Sequence, residues 1–387
     1  MEYRDVTRII IEENQEHGFE SYRVPGIVTV SGGDLLLTYE GRGGDGNRRT
    51  LFLRRCRKVA GGAELIVEPR MVMAEPTGDE LLHNPLLIAG SEGRVYFFWC
   101  QDYGRLFMRE SKDGGESFGA VRELTQVMDG FRKDWPVTLW AIAPGHGICK
   151  KDGILVLPLW LSKGENAHLP ACFACISSAD GGETWSCSNV VPAGNGVGDP
   201  TEASVAERSD GTLLATMRHE IPGVRRRAFC EGWSQKTEVT GNAESAGITE
   251  RSEKAGRICW SEAWLNRELP DPICSGALCS LSDGKMAFVN CAYGDEPALE
   301  LQRQGQSVRW SLDARQRLTV RISKDDGKTW MAGYLLEQEG GASDLAAGDG
   351  QELYCFYEEG WLDGNCIFNR RLKLAKLCPE LACGRKG

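Results

Sequence analysis

Apolar residues in this chain come in short runs, dense in Val, Ile, Leu and aromatic side chains, that stop at polar turns carrying Gly, Asn or Asp. LLLTYE (Leu35–Glu40), GILVLPLWLS (Gly153–Ser162) and LYCFYEEG (Leu353–Gly360) are typical. Runs of this length and composition predict buried β-strands. The longest, Ile154–Leu161, is broken by Pro158. It falls far short of the ~18 apolar residues of a membrane-spanning helix, so it reads as a strand and no membrane partner is expected.

An internal repeat sets the architecture. The octapeptides SKDGGESF (Ser111–Phe118), SADGGETW (Ser178–Trp185) and SKDDGKTW (Ser323–Trp330) each follow a strand-like run and share Ser-x-Asp-x-Gly-x-Ser/Thr-aromatic. In such a box the Asp folds back onto backbone amides, the Gly supplies a positive φ and the aromatic closes a small core, so each marks a tight turn. The first two boxes start 67 residues apart and the last two 145, one and two copies of one period. A degenerate copy falls between them, at Ser252–Trp260 (SEKAGRICW), without the Asp. A period of about 70 residues suits a four-stranded blade. The expectation is an all-β, six-bladed β-propeller forming a single domain over residues 1–387. The polar stretch at 225–256 is read as a solvated loop or hairpin insertion.

With 41% hydrophobic and 26% charged residues the chain can bury a large core and is not disordered in composition. A formal net charge of −10 argues against broad nucleic-acid binding while leaving room for a local basic pocket. The 15 cysteines, odd in number and without a repeating framework, fit reduced thiols, and the charged start MEYRDVTRIIIEE lacks an apolar leader, so a cytoplasmic location is expected. Cys172 and Cys175 form a lone CxxC in a strand-like run, where positions three apart face opposite sides and chelate poorly. His17, His83, His146, His168 and His219 show no metal-ligand spacing, so no metal or organic cofactor is expected.

Tyr22-Arg23-Val24-Pro25-Gly26 resembles the Tyr/Phe-Arg-Ile/Val-Pro motif that opens the exo-α-sialidase family, and further segments match that family in order along essentially the whole chain. The resemblance implies roles for particular residues. Asp45, in GRGGDGN after LLLTYE, would be the acid/base. Arg23, Arg218 and Arg315 would be an arginine triad, with Arg317 close enough to Arg315 to compete for the third place. Glu202, 16 residues before Arg218, would be the base or the nucleophile's helper. Glu358 would brace Arg23. The segment APGHGI (Ala143–Ile148) supports the fold; among the histidines, for which core or loop-rim roles are expected, His146 and His168 are the two placed near the pocket. Three guanidiniums suit a ligand with a fixed carboxylate, because each offers a planar fork of donors that keeps its charge. Crowded together they need a counter-charge, which Glu358 supplies.

Family sialidases use a tyrosine nucleophile, set in an Ala-Tyr-Ser-Asp-Leu motif. Here the matching segment is Gly341-Ala342-Ser343-Asp344-Leu345, with Ala342 at the tyrosine's place. The resemblance implies an exo-α-sialidase-type glycoside hydrolase that releases terminal sialic acid, or a related nonulosonic acid, from a sialylated oligosaccharide or small sialoside. Ala342 keeps two alternatives open: a non-catalytic sialoside-binding propeller, and a retaining sialidase whose nucleophile has been changed from Tyr to Ala. A natural enzyme would need water, activated by Glu202 with Asp45 as acid, or another tyrosine such as Tyr293, Tyr354 or Tyr357.

Overall fold

Why the apolar runs are continuous rather than alternating is explained by their packing in a computed structural model of the chain. The structure describes residues 6–43, 48–59, 64–166, 168–221, 224–235, 256–281, 284–294, 300–303, 306–309, 315–350, 352–360, 362–363, 366–367 and 370–377. In the strand Leu35–Arg42, Leu35 and Leu37 enter one hydrophobic core and Leu36 enters the next. In Leu169–Ser178, Cys172, Ala174 and Ile176 face one core while Phe173 and Cys175 face another. Each sheet is therefore covered on both faces by neighbouring sheets, and both residue parities must be apolar. The CxxC pair is divided between two cores in the same way.

Among the described residues the strands form four five-stranded sheets, one seven-stranded sheet and two small two-stranded ribbons. Among these described residues a short 3₁₀ helix, Thr125–Phe131, is the one helical segment. Six separate sheets, expected from the box spacing, are not what the pairing gives. The cause is the 14-residue strand Tyr334–Ala347. Its first part pairs with Gln316–Ser323, its second part from Gly340 onward with Leu353–Glu359, so what the repeat treats as two units is hydrogen-bonded into one sheet. That sheet ends with Thr7–Glu13 paired antiparallel to Arg371–Leu377, which ties the first described strand to the last.

The sheets pack into a closed ring, a propeller-like arrangement. The strand Ser21–Thr29 touches Tyr334–Ala347 on one side and Leu82–Ala89 on the other; Ile148–Cys149 bridges Leu82–Ala89 and Ala203–Glu207; Ala277–Ser280 bridges Ala203–Glu207 and Tyr334–Ala347. These inner strands surround a cavity of about 240 Å³, lined among others by Ile27, Ala89, Cys149, Glu207, Ser280 and Ala347.

The three intact boxes share one hydrogen-bond pattern. In the second, Ser178 Oγ donates to Asp180 Oδ1 (2.8 Å), Gly182 N donates to Ser178 Oγ (2.8 Å), and Thr184 donates to Asp180 through N (2.9 Å) and Oγ1 (2.5 Å). The same contacts recur around Asp113 and Asp325. The boxes also join sheets: Arg55 Nη2 donates to Gly114 O (2.6 Å), Tyr96 Oη to Gly181 O (3.0 Å) and Arg208 Nε to Asp326 O (2.9 Å). The degenerate copy at Ser252 lies outside the described residues up to 255, although its Trp260 ends a strand, Ile258–Trp260. The stretch read as a loop at 225–256 is corrected in part. Arg226–Ser234 is a buried strand, because Ala228, Phe229 and Cys230 supply the apolar positions the polar count obscures, while residues 236–255 lie outside the described set.

Candidate active site

Antiparallel pairing puts the starts of the inner strands and the ends of the strands beside them on one face of the ring. Arg23 lies near the start of Ser21–Thr29, Glu202 just before Ala203–Glu207, and Arg315 just before Gln316–Ser323. Arg218 follows the end of Leu213–Met217, and Glu358 is near the end of Leu353–Glu359. The boxes, at the opposite strand ends, leave this face free.

Local irregularity aims the side chains. The pairing of Ser21–Thr29 slips between Arg23 and Gly26, where Val24 has φ 60°, and that of Tyr334–Ala347 slips between Gly340 and Ser343. Such bulges bend a strand and redirect its residues. Glu358 joins the two. Its Oε1 accepts hydrogen bonds from Arg23 Nε (2.8 Å) and Val24 N (3.1 Å), and its Oε2 lies 2.9 Å from where a Cβ on Gly341 would stand. Ala342 thus sits in the bulge opposite the residue that braces Arg23, and it is buried.

The other two arginines belong to the same electrostatic cluster. Arg218 pairs through Nη1 with Glu202 Oε2 (3.2 Å) and through Nη2 with Glu220 Oε1 (2.7 Å). Its charge is held above the ordinary arginine value: burial works against this, and Glu202 and Glu220 outweigh it. Arg315 is buried; its charge is disfavoured by burial and favoured by Cys274, Glu358 and Glu202, with Arg218 opposing. Arg317, its competitor in the sequence, is exposed on the strand with φ 58°. Burial pushes the Glu358 carboxyl up, but Arg23 and Arg315 pull it net below the usual range. Cys274 is held below the ordinary thiol value by a hydrogen bond from Cys291 and by Arg315. Arg218 Nε, Arg315 Nε, Glu358 Oε2 and Ser343 Oγ are all buried without a hydrogen-bond partner. Two of these atoms, Arg218 Nε and Arg315 Nε, are guanidinium donors buried without an acceptor, which an anionic ligand could satisfy.

Asp45 lies outside the described residues. On either side of it, Arg42 and Arg49 both pair with the buried Glu40, at 2.6 and 3.5 Å. Glu40 Oε1 also accepts from Asn84 N (2.8 Å). Tyr103 is within range of the charges of Arg49, Glu40, Arg42 and Glu202, and its ring contacts His83, His168 and Trp160. This wall of the site has no motif in the sequence beyond Glu40 ending a strand-like run. His146 is placed elsewhere. It is buried beside the axial cavity, its Nδ1 2.7 Å from Asp344 Oδ1, while Asp344 Oδ2 accepts from Ile27 N (2.8 Å). Tyr354 and Tyr357 point into sheet cores, near Glu352 and Glu337 respectively, not into the arginine cluster.

The profile of the BNR repeat-like domain family matches residues 33–352. The chain belongs to that family. Its curated relatives include mouse Sialidase-3, 25% identical over 90% of this chain and 90% of that protein. Among solved structures, a Hadza microbial sialidase, Hz136, superposes with a TM-score of 0.67 at 20% identity, covering 94% of this chain and 67% of the other. The Ruminococcus gnavus intramolecular trans-sialidase, solved in complex with oseltamivir carboxylate, gives 0.65 at 12% identity, covering 95% and 96%. These structural likenesses carry the fold: an all-β, propeller-like ring of the kind found in sialidases.

Proposed function

We propose that the chain is a sialidase-type propeller that binds a sialoside through its carboxylate, and acts as an exo-α-sialidase-type glycoside hydrolase. The observation that carries this is the convergence of Arg23, Arg218 and Arg315 with Glu358 and Glu202, leaving buried guanidinium donors unpartnered. On this reading the ring is a six-bladed propeller in which two blades share Tyr334–Ala347; the succession of inner strands around the cavity supports it. Arg23 would offer the carboxylate its outer edge, since Glu358 holds its Nε. With Ala342 in the bulge, no phenol attacks the anomeric carbon from that position. The reading is that water takes this role, deprotonated by Glu202, while Asp45 protonates the leaving oxygen, so that the first product has the inverted configuration.

Ala342 itself favours a second reading, a propeller that binds sialosides without turning them over. One experiment separates the two: hydrolysis of a chromogenic α-sialoside by this chain and by Ala342→Tyr, each with Arg23→Ala as control. Turnover by the unchanged chain that Arg23→Ala abolishes supports the hydrolase, and release of the α-anomer in the first NMR spectrum would exclude the water mechanism. Turnover by Ala342→Tyr alone supports the binder. No turnover and no binding of free sialic acid by either would end both readings.

A further inference from the structure

Arg218 differs from its two companions in how fully it is already engaged. Arg23 gives its Nε to Glu358 and makes no other ion pair among the described residues. Arg315 makes no hydrogen bond or ion pair among them. Arg218 has both terminal nitrogens paired with carboxylates, the shorter contact being Nη2 to Glu220 at 2.7 Å, and its Nε is buried without a partner. Glu220 is fixed in place: its backbone N donates to Gly198 O (2.8 Å), and its side chain is about as shielded as that of Arg218, at 20% and 23% exposure. A guanidinium presents two adjacent donors to a carboxylate when it binds it two-pronged. Glu220 already holds one of them, and its own charge repels a second carboxylate brought alongside.

We propose that Glu220 is an internal competitor for the ligand's carboxylate: it occupies Arg218 in the free protein and sets how tightly an acidic sugar binds. The inference rests on the arginine-site reading above. Glu202, the other carboxylate on Arg218, stands at the start of an inner strand and has a proposed part in the chemistry. Glu220 has none, so removing its charge changes recognition without removing a reacting group. A residue that merely oriented Arg218 would act in the opposite direction, because its loss would weaken binding.

The test is calorimetric titration of the chain and of Glu220→Gln with N-acetylneuraminic acid and with its methyl ester, which lacks the carboxylate charge. Glu220→Gln is expected to bind the acid about tenfold more tightly, the scale of losing one partly shielded ionic competitor, and to leave the weak binding of the ester unchanged. Glu220→Ala should shift the acid in the same direction, which guards against a folding effect peculiar to one variant. Equal or weaker binding of the acid by both variants, with binding by the unchanged chain intact, overturns the competitor role and leaves the arginine site standing. Failure of the unchanged chain and both variants to bind the acid at all overturns the arginine-site reading, and this inference with it.

Discussion

Glu358 offers the most direct test of how the site is built. It is 1% exposed, and one of its oxygens serves both Arg23 Nε and Val24 N. Glu358→Gln keeps the shape but removes the charge, so Arg23 loses its only ion-pair partner among the described residues. Removing one member of a buried pair costs about 3–5 kcal/mol. Arg23 retains 13% exposure and some access to water, so about 2–4 kcal/mol of unfolding free energy is expected here, to be read by urea denaturation near pH 7. The pH dependence has a definite sign. Despite burial, Arg23 and Arg315 hold the folded carboxyl below its usual range. Its contribution is therefore complete above the unfolded value of about 4.3 and is lost as pH falls through the folded value. The gap between the unchanged chain and Glu358→Gln should stay flat from neutral pH down to about 4.3 and shrink below it. A gap under about 0.5 kcal/mol at pH 7, the scatter of neutral surface changes, would refute the brace.

Two further outcomes follow from groups away from the arginines. His146 is raised above its ordinary value: burial lowers it, but Asp344 outweighs burial. Its stabilising pair is thus complete below about pH 6.5 and lost as pH rises through the folded value, so His146→Asn should cost about 1–3 kcal/mol at pH 6 and clearly less at pH 9. Denaturation at the two pH values checks this, and a cost that grows with pH would sink it. Asp180→Ala removes the acceptor of Thr184 N and Thr184 Oγ1 and the acceptor of the Ser178 hydroxyl proton. A loss of about 1–3 kcal/mol is expected, with unchanged ligand affinity because the box lies on the far face. A selective loss of binding without loss of stability would contradict that placement.

What the sequence discloses and what it hides divide along physical lines. The boxes are legible because each is a local device: Ser, Asp, Gly and Thr bond to one another within seven residues, at Ser178–Thr184 for example. The third arginine is not settled by pattern, since Arg315 and Arg317 share a parity at the start of one strand. A positive φ at Arg317 turns it outward while Arg315 stays buried. Tyr103 and the Glu40 cluster carry no motif because their meaning lies in contacts between separate sheets, and Glu220, although only two residues from its partner Arg218, stands in no repeated pattern. The union of two repeat units into one sheet is hidden for the same reason, for nothing in Tyr334–Ala347 marks where one partner strand gives way to the next except Gly340-Gly341.

That glycine pair bears on the meaning of Ala342. The bulge is made by backbone: the pairing slips at Gly341 and Ala342, and Glu358 Oε2 stands so near Gly341 that a Cβ there would force it aside. Glu358 in turn holds Arg23. Nothing in this chain of contacts uses the side chain at position 342, so the carboxylate site can form whether that residue is Ala or Tyr. Binding and turnover are then separable by construction. Arg23→Ala should abolish both, whereas Ala342→Tyr should leave affinity for the free sugar acid within about threefold while changing only the hydrolytic rate. If titration instead shows Ala342→Tyr altering that affinity tenfold or more, the bulge does not hold the site independently of its own side chain, and the argument from backbone geometry fails.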